Sequence, residues 1–461
     1  MFSTLVIDTD LIRKYGGAGP RYTSYPTADR FVEAFNAQAY GHWLENRNIG
    51  GFVRPLSLYV HLPFCDTICY YCACNKIVTR DRSRAARYVM YLRREMALVG
   101  GHLGNDRTLG QVHWGGGTPT FLSDAELAEL AGAIRSEFTL DPKGEYAIEI
   151  DPRRVTPERV ALLARLGFNR LSLGVQDFDR EVQLAVNRVQ TVEETETVLN
   201  AARDKGFRSV NIDLIYGLPK QSVDGFSRTL DRVIECYPDR IALYSYAHLP
   251  SVFKPQRRIN ADELPLPEVK LQLLTLAVSR LREAGYVYIG MDHFARPNDD
   301  LAVAQRKGRL TRNFQGYSSA GECDIVALGV SAISTVGPIY AQNTREIEDY
   351  YARLDQGVLP VWRGVELTAD DLVRRAVIQS LACHFQVSKE SISIAHIVDF
   401  DSYFAPELEH LRELERDGLV KLEEDWISVT PEGRLLVRAV CMVFDRYLRA
   451  ERTRASYSRV M

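Results

Sequence analysis

An imbalance of charge is missing from this sequence. Its 461 residues hold 57 Lys and Arg against 60 Asp and Glu, a formal net charge of −3. That balance argues against bulk attraction to nucleic acid or to an anionic membrane, while leaving room for a local basic pocket. Long apolar runs are missing too. The only long uncharged stretch, residues 325–344, contains Gly329, Gly337 and Pro338 with several Ser and Thr. It reads as a buried strand with a Gly-rich turn, not as a membrane span. The opening MFSTLVIDTDLIRKYGG has early acids and no apolar core, so no signal peptide is expected and the chain reads as soluble and cytoplasmic. Neither a Walker loop nor a GxGxxG dinucleotide fingerprint is present. Hydrophobic residues at 46% and charged residues at 25% are ordinary globular values. They exclude a disordered, collagenous or disulfide-stapled chain.

Cysteine is sparse except in one place. Four of the eight sit within ten residues: Cys65, Cys69, Cys72 and Cys74. Cys236, Cys323, Cys383 and Cys441 are scattered and read as small buried hydrophobes. Without an export signal, a crowded run in a large chain points to metal or redox chemistry. On a helix-like winding, Cys65, Cys69 and Cys72 fall within roughly 60° of one another and Cys74 points to the opposite side. Three thiolates suit an iron–sulfur cube with one open iron, whereas structural zinc would take all four. Both readings stand on spacing alone.

From residue 57 onward, short β-branched runs alternate with segments of helical period. The strand candidates are residues 58–61, 111–114, 146–150, 170–175, 210–215, 241–246 and 287–291. Helices are expected over 84–98, 124–138, 157–166, 192–205 and 267–284. Such alternation predicts βαβ units and a parallel sheet, hence an α/β fold with a partial or full (β/α) barrel. Polar side chains close five strands in a row: Glu149 and Asp151, Gln176 and Asp177, Asp213, Tyr246 and His248, Asp292 and His293. Carboxyl ends of parallel strands are where such folds place their chemistry, and capping alone needs fewer polar residues. HWGGGTPT (113–120) runs a strand into three glycines; a tight turn needs one, so three favour close approach of a ligand.

After about residue 365 the pattern changes. Helices are expected over 369–383 and 408–417, then a hairpin in GLVKLEEDWISVTPEG and a long final helix over 434–449. This order resembles a winged helix, with five arginines between Arg446 and Arg459. A broad basic face is lacking, so a lid or docking domain is the reading and no nucleic-acid partner is expected. The chain divides into an N-terminal segment (1–55), a barrel domain (56–364) and a smaller, mainly helical C-terminal domain (365–461).

Together these runs resemble the radical S-adenosylmethionine enzymes. CDTICYYC matches CxxxCxxC, and GGGTP matches the glycine motif after the second strand. PRYTSYPT, YVHLPFCDTICYYCACNKIVTR, EIDPR, LSLGVQDF, VNR, NIDLIYGLPKQ, YAHLP, MDHFARP, RNFQGY, GVSAIS and YSRV are similar to the oxygen-independent coproporphyrinogen III oxidases. The likeness runs from near residue 19 to the end. It includes Cys74 and the PRYTSYPT segment, both of which the related heme chaperone usually lacks. Tyr71 stands where that family more often has Phe, and Ala73 where it has Gly.

The resemblance implies a 4Fe–4S cluster on Cys65, Cys69 and Cys72 and two S-adenosylmethionine molecules. The first would be contacted by Tyr59, Gly116, Glu149 and Ile333. The second would be contacted by Tyr71, Gly117, Thr118, Gln176, Arg188, Asp213 and Ala247. It implies that a 5′-deoxyadenosyl radical takes hydrogen from two propionates of coproporphyrinogen III, which become vinyl groups of protoporphyrinogen IX. A low-potential electron donor of unassigned identity is implied, with no membrane partner and a monomeric enzyme. Cys74 is expected to serve turnover. The substrate has four carboxylates, so Arg21 and Arg296 are candidates to meet them. Tyr22 or Tyr25 would pack on the macrocycle, as the N-terminal segment folds over the barrel's carboxyl end. The alternatives are a heme-binding carrier of the same fold that does not decarboxylate, and a plain iron–sulfur electron-transfer module.

Overall fold

The computed structural model describes residues 5–48 and 54–450. The YSRV run and most of the arginine-rich tail lie outside the described residues. The chain forms two compact units that do not follow chain order. One joins Phe31–Leu273 to Glu322–Glu366; the other joins Met1–Arg30, Leu274–Gly321 and Leu367–Met461.

The larger unit is built on strands β1 (Leu56–Leu62), β2 (Phe64–Cys65), β3 (Ile77–Val78), β4 (Thr108–Gly116), β5 (Thr139–Ile150), β6 (Arg170–Gln176), β7 (Ser209–Tyr216) and β8 (Arg240–Ser245). The smaller unit holds β9 (Val287–Gly290), β10 (His293–Ala295), β11 (Thr311–Asn313) and β12 (Gly316–Ser318). The larger unit resumes with β13 (Asp324–Leu328), β14 (Ile333–Val336), β15 (Ile339–Asn343) and β16 (Val361–Glu366). Its main sheet runs β16-β15-β14-β13-β1-β4-β5-β6-β7-β8. Strands β13 through β8 in that order are parallel, and β14 to β16 are antiparallel. β13 and β8 are not neighbours, so the seven parallel strands form a partial barrel.

The expected helices are present as Ser83–Leu103, Asp124–Glu137, Pro157–Arg165, Val192–Asp204 and Pro267–Glu283. Capping boxes open two of them: Ser123 with Glu126, and Thr191 with Glu194. Their apolar faces supply the core; Ser83–Leu103 buries Tyr88, Val89, Leu92, Met96 and Val99 at helical spacing. Glu95 lies on that same buried face. It accepts from Tyr350 Oη at 2.6 Å, Gly329 N at 2.7 Å and Asn343 Nδ2 at 2.6 Å.

Residues 287–291 do not add a parallel strand; β9 pairs antiparallel with β10 in the smaller unit. A short apolar run carries no signal for the direction of its partner. The parallel strand beside β1 is instead β13, at the start of the uncharged stretch.

In the smaller unit, helices Ala369–His384, Lys389–His396 and Ala405–Arg416 accompany a three-stranded sheet ordered β17 (Gln386–Ser388), β19 (Trp426–Val429), β18 (Val420–Leu422), the winged-helix arrangement with one strand more than expected. The long final helix is broken into Arg434–Leu436, Val437–Val443 and Arg446–Ala450. Asp445 breaks it by accepting from the amides of Tyr447 and Leu448, which makes it a new N-cap. Tyr22 and Tyr25 are each 1% exposed inside this unit. Tyr22 Oη donates to Asp445 at 3.0 Å, and Tyr25 Oη accepts from Arg446 N at 3.3 Å. Both rings are thus core anchors, not free faces for a macrocycle.

Candidate active site

The cysteine loop is pinned at both ends. β2 pairs with β3, Phe64 against Ile77 and Cys65 against Val78, which closes residues 66–76 into a compact arc. Its interior is held from outside. Tyr70 N donates to Val186 O at 3.0 Å, Asn187 Nδ2 to Ile68 O at 2.7 Å, and Gln256 Nε2 to Tyr71 O at 3.2 Å. Lys76 Nζ reaches back to the carbonyls of Cys72 (3.0 Å) and Cys74 (3.3 Å). All four cysteines are free and line one open cavity.

The loop is not helical, so the helical phase argument fails for Cys74. Cys74 lines the same cavity. The nearness of Cys74, followed by Lys76 against an opposing desolvation, lowers the Cys72 thiol, and Cys72 in turn raises Cys74. Burial pushes the Cys65 thiol up to about 12, with the Thr118 hydroxyl 3.6 Å from its sulfur.

The strands supply the rest of the wall. Tyr71, Gly116, Gly117, Thr118, Glu149, Gln176, Arg188 and Asp213 all line this cavity, as do Asp151, Arg153 and Ser172. Glu149 Oε1 lies 3.0 Å from His113 Nε2, and Oε2 accepts from Gly116 N at 3.2 Å. Although burial opposes it, these partners hold the Glu149 carboxyl below its ordinary value. Asp213 behaves oppositely. Burial and the charge of Glu149 push it up to about 6, against hydrogen bonds from Asn211 (2.8 Å) and Ser172 (3.1 Å). Arg188 Nη1 meets both the Cys69 sulfur (3.6 Å) and Asp151 (3.4 Å), and Nη2 donates to Gly174 O at 2.5 Å. Against burial, Arg188 and then Arg153 pull Asp151 down to about 2.

The three glycines are required by their own neighbours. A Cβ on Gly115 would meet the Glu149 carboxylate at 2.7 Å, one on Gly116 the His61 ring at 2.5 Å, and one on Gly117 the Pro63 carbonyl at 2.7 Å. Gly116 also sits at φ +113°. The amides of Gly117 and Thr118 donate to Leu62 O and Phe64 O, both at 2.8 Å. What the loop offers a ligand is therefore the room left by absent side chains.

Tyr59, Ala247 and Ile333 do not line the cavity. Tyr59 Oη sits 3.1 Å from His61 Nδ1, and its ring stacks on His113 at 5.8 Å. Ala247 O accepts from Gln256 Nε2 at 3.2 Å, and Ile333 begins β14. Arg21 and Arg296 belong to the smaller unit. Sequence reasoning passed over His61, His113 and Ser172 as site residues. A signal was there: Tyr59/His61, His113/Gly115, Ser172/Gly174 and Asn211/Asp213 recur with period 2, a polar inner face on successive strands.

Three cysteines on one cavity beside an arginine and a lysine suit a cubane cluster. Among the described residues no three His, Cys, Asp or Glu side chains converge on a single ion site. A cubane needs no such convergence, because each thiolate binds a different iron corner.

The comparisons agree with this geometry. Residues 59–233 match the Radical SAM superfamily model and residues 367–436 the HemN C-terminal domain model. The Pseudomonas aeruginosa oxygen-independent coproporphyrinogen III oxidase is 53% identical, covering 100% of each chain. The chain belongs to the oxygen-independent coproporphyrinogen III oxidases. The Escherichia coli oxygen-independent coproporphyrinogen III oxidase is 48% identical over 98% of each chain. The solved structure of the coproporphyrinogen III oxidase from Escherichia coli, described as a Radical SAM enzyme, superposes with a TM-score of 0.91 at 46% identity, covering 97% of this chain and 100% of that one. Each of these oxidase-family relatives carries the oxidase name, not that of a heme carrier. No described helix of this oxidase-family chain is long and apolar enough to cross a membrane.

Proposed function

We propose that the chain converts coproporphyrinogen III to protoporphyrinogen IX by oxidative decarboxylation of two propionates, without oxygen. The observation that carries this reading is one cavity where four cysteines meet the carboxyl ends of β4 to β7, in a chain 53% identical to a named oxidase over its full length. A 4Fe–4S cluster with S-adenosylmethionine supplies, when bound, a carbon-centred radical able to remove a propionate hydrogen.

The chain's own residues do the holding. Cys65, Cys69 and Cys72 offer thiolates to the cluster. Arg188, buried beside Cys69, offsets thiolate charge and has the fork geometry for an amino-acid carboxylate. Glu149, kept ionised by His113, suits a ribose hydroxyl or an amine. Asp213 and Gln176 face the same cavity and extend the polar wall toward a second S-adenosylmethionine, with Gly117 and Thr118 giving it room. Tyr71 supplies a flat face for a cationic or aromatic group. Tyr59 backs this wall through its stacking on His113, and Cys74 at its rim serves turnover. Arg21 meets a substrate carboxylate. On this reading the enzyme is a cytoplasmic monomer fed by a low-potential electron donor, with residues 1–55 and 365–461 flanking a barrel domain at 56–364.

The test is to incubate the reduced protein anaerobically with S-adenosylmethionine and coproporphyrinogen III. Vinyl-bearing product is expected. Heme binding without any vinyl product would replace the reading with that of a carrier.

A further inference from the structure

Arg21 does not stand open in the smaller unit. Its Nη1 donates to Asp292 Oδ2 at 3.0 Å, with the Arg21 side chain 29% exposed and that of Asp292 12% exposed. The backbone is fixed on both sides of the pair, with Tyr22 at φ +46° and Met291 at φ +45°. Non-glycine residues hold such angles only where packing over-determines them. The segment is clamped by two further guanidiniums. Arg312 Nε donates to Arg21 O and Arg438 Nε to Pro20 O, both at 3.1 Å.

Both of these arginines, and His293, also act on the Asp292 carboxylate. Burial alone would raise that group, yet Arg21, Arg438 and Arg312 together hold it below its ordinary value. Arg312 is 5% exposed, and its buried Nη1 has no hydrogen-bond partner. The Gln315 Nε2 on the same hairpin is likewise buried without one. Buried donors lacking acceptors call for an explanation, and a site that exchanges anions gives one.

We propose that Asp292 and Arg312 are positioning residues that hand Arg21 to a carboxylate of the substrate: Asp292 parks the guanidinium, and Arg312 with Arg438 carries the aspartate's charge once Arg21 has turned away. An ion pair that breaks without a replacement strands a buried charge, which is costly. Here Arg438 and Arg312 lower that cost, because they also act on the Asp292 carboxylate and each is held by a backbone carbonyl, Pro20 O and Arg21 O, in a bond that does not involve the Arg21 side chain. The inference rests on the substrate reading above.

The test uses the full-length holoprotein and two probes, coproporphyrin III and its tetramethyl ester, with affinity followed by fluorescence titration. Arg312→Gln is expected to weaken coproporphyrin III binding tenfold or more. Asp292→Asn, which removes the competing anion, is expected to tighten it severalfold. Neither change should move the affinity for the ester. A merely structural role for Asp292 predicts weaker binding in both variants, and that result overturns the hand-over. So does an unchanged affinity in Arg312→Gln. If Arg312→Gln does not fold, Asp292→Asn decides alone, since tightening is no property of a damaged fold. Failure of the substrate reading has a different signature, namely no vinyl product from the wild-type protein.

Discussion

His113 Nε2 lies 3.0 Å from Glu149 Oε1, on the neighbouring parallel strand, with both side chains on the cavity face of the sheet. The contact helps to keep that carboxylate ionised. Because the folded-state value of Glu149 is depressed, the stability it contributes is present above about pH 4.5 and is lost as pH falls through the folded value.

Removing that partner gives the first prediction. His113→Ala should weaken S-adenosylmethionine binding by about tenfold at pH 7, roughly the loss of one charge-assisted hydrogen bond. Its affinity should also fall more steeply between pH 7 and pH 5 than that of the wild type. His113→Asn, which keeps a donor, should recover part of the loss. Calorimetric titration across that range checks this; identical affinities for His113→Ala and wild type would refute the role of His113.

Asp213 is raised from 3.8 to about 6, so its sign is reversed. The unfolded chain ionises first, and the favourable contribution is fully present below pH 3.8 and lost as pH rises through about 6. Two units correspond to about 3 kcal/mol. Asp213→Asn should therefore leave the ligand-free fold at least as stable as wild type at pH 8 in urea titrations. The same variant should bind S-adenosylmethionine about ten- to a hundred-fold more weakly. Wild-type product yield at limiting S-adenosylmethionine would remove Asp213 from the binding wall.

Glu95 offers the same sign at a site without ligand contacts. Burial lifts it to about 7 in spite of three hydrogen bonds. Its contribution is present below pH 4.5 and lost as pH rises through about 7, amounting to about 3 kcal/mol. Glu95→Gln should be more stable than wild type at pH 8. At pH 5 it should be less stable by about 1 kcal/mol, because its amide nitrogen cannot accept from Asn343. Crossing stability curves are the expected result, and parallel curves would show that Glu95 does not titrate here.

For the cluster, Cys65→Ser, Cys69→Ser and Cys72→Ser should each lose the iron, while Cys74→Ser keeps it and loses activity. Iron and sulfide counts with visible absorption separate these outcomes. Equal loss in Cys74→Ser would make the site one of four cysteines.

Much of this was legible in the order of residues, for identifiable reasons. Strands 58–61 to 241–246 announced themselves because β-branched runs alternate with amphipathic helices, and GGGTP because only glycine leaves room beside Glu149 and His61. Other features depend on partners far away in sequence. The direction of β9 is set by β10, and the break in the last helix by an Asp445 side chain turned onto its own amides. The PRYTSYPT tyrosines looked like a ligand face because aromatic residues in an irregular segment give no sign of what covers them. Their cover is Asp445 and Arg446, more than 400 residues on. Cys74 misled in the same way, since a helical phase has no meaning in an arc closed by β2 and β3.

The interleaving of the two units sets a constraint on synthesis. Residues 5–30 leave the ribosome before the rest of the described chain, but the core that buries Tyr22 and Tyr25 includes Asp445 and Arg446. The larger unit can collapse once Glu366 has emerged, whereas the first thirty residues must wait for nearly the whole chain. At about 5–20 residues per second that delay is tens of seconds, during which an aromatic, proline-bearing segment stays uncovered. Expression of chains ending near residue 366 should thus yield an ordered barrel in which residues 5–30 and 274–321, deprived of the rest of the smaller unit, are protease-sensitive.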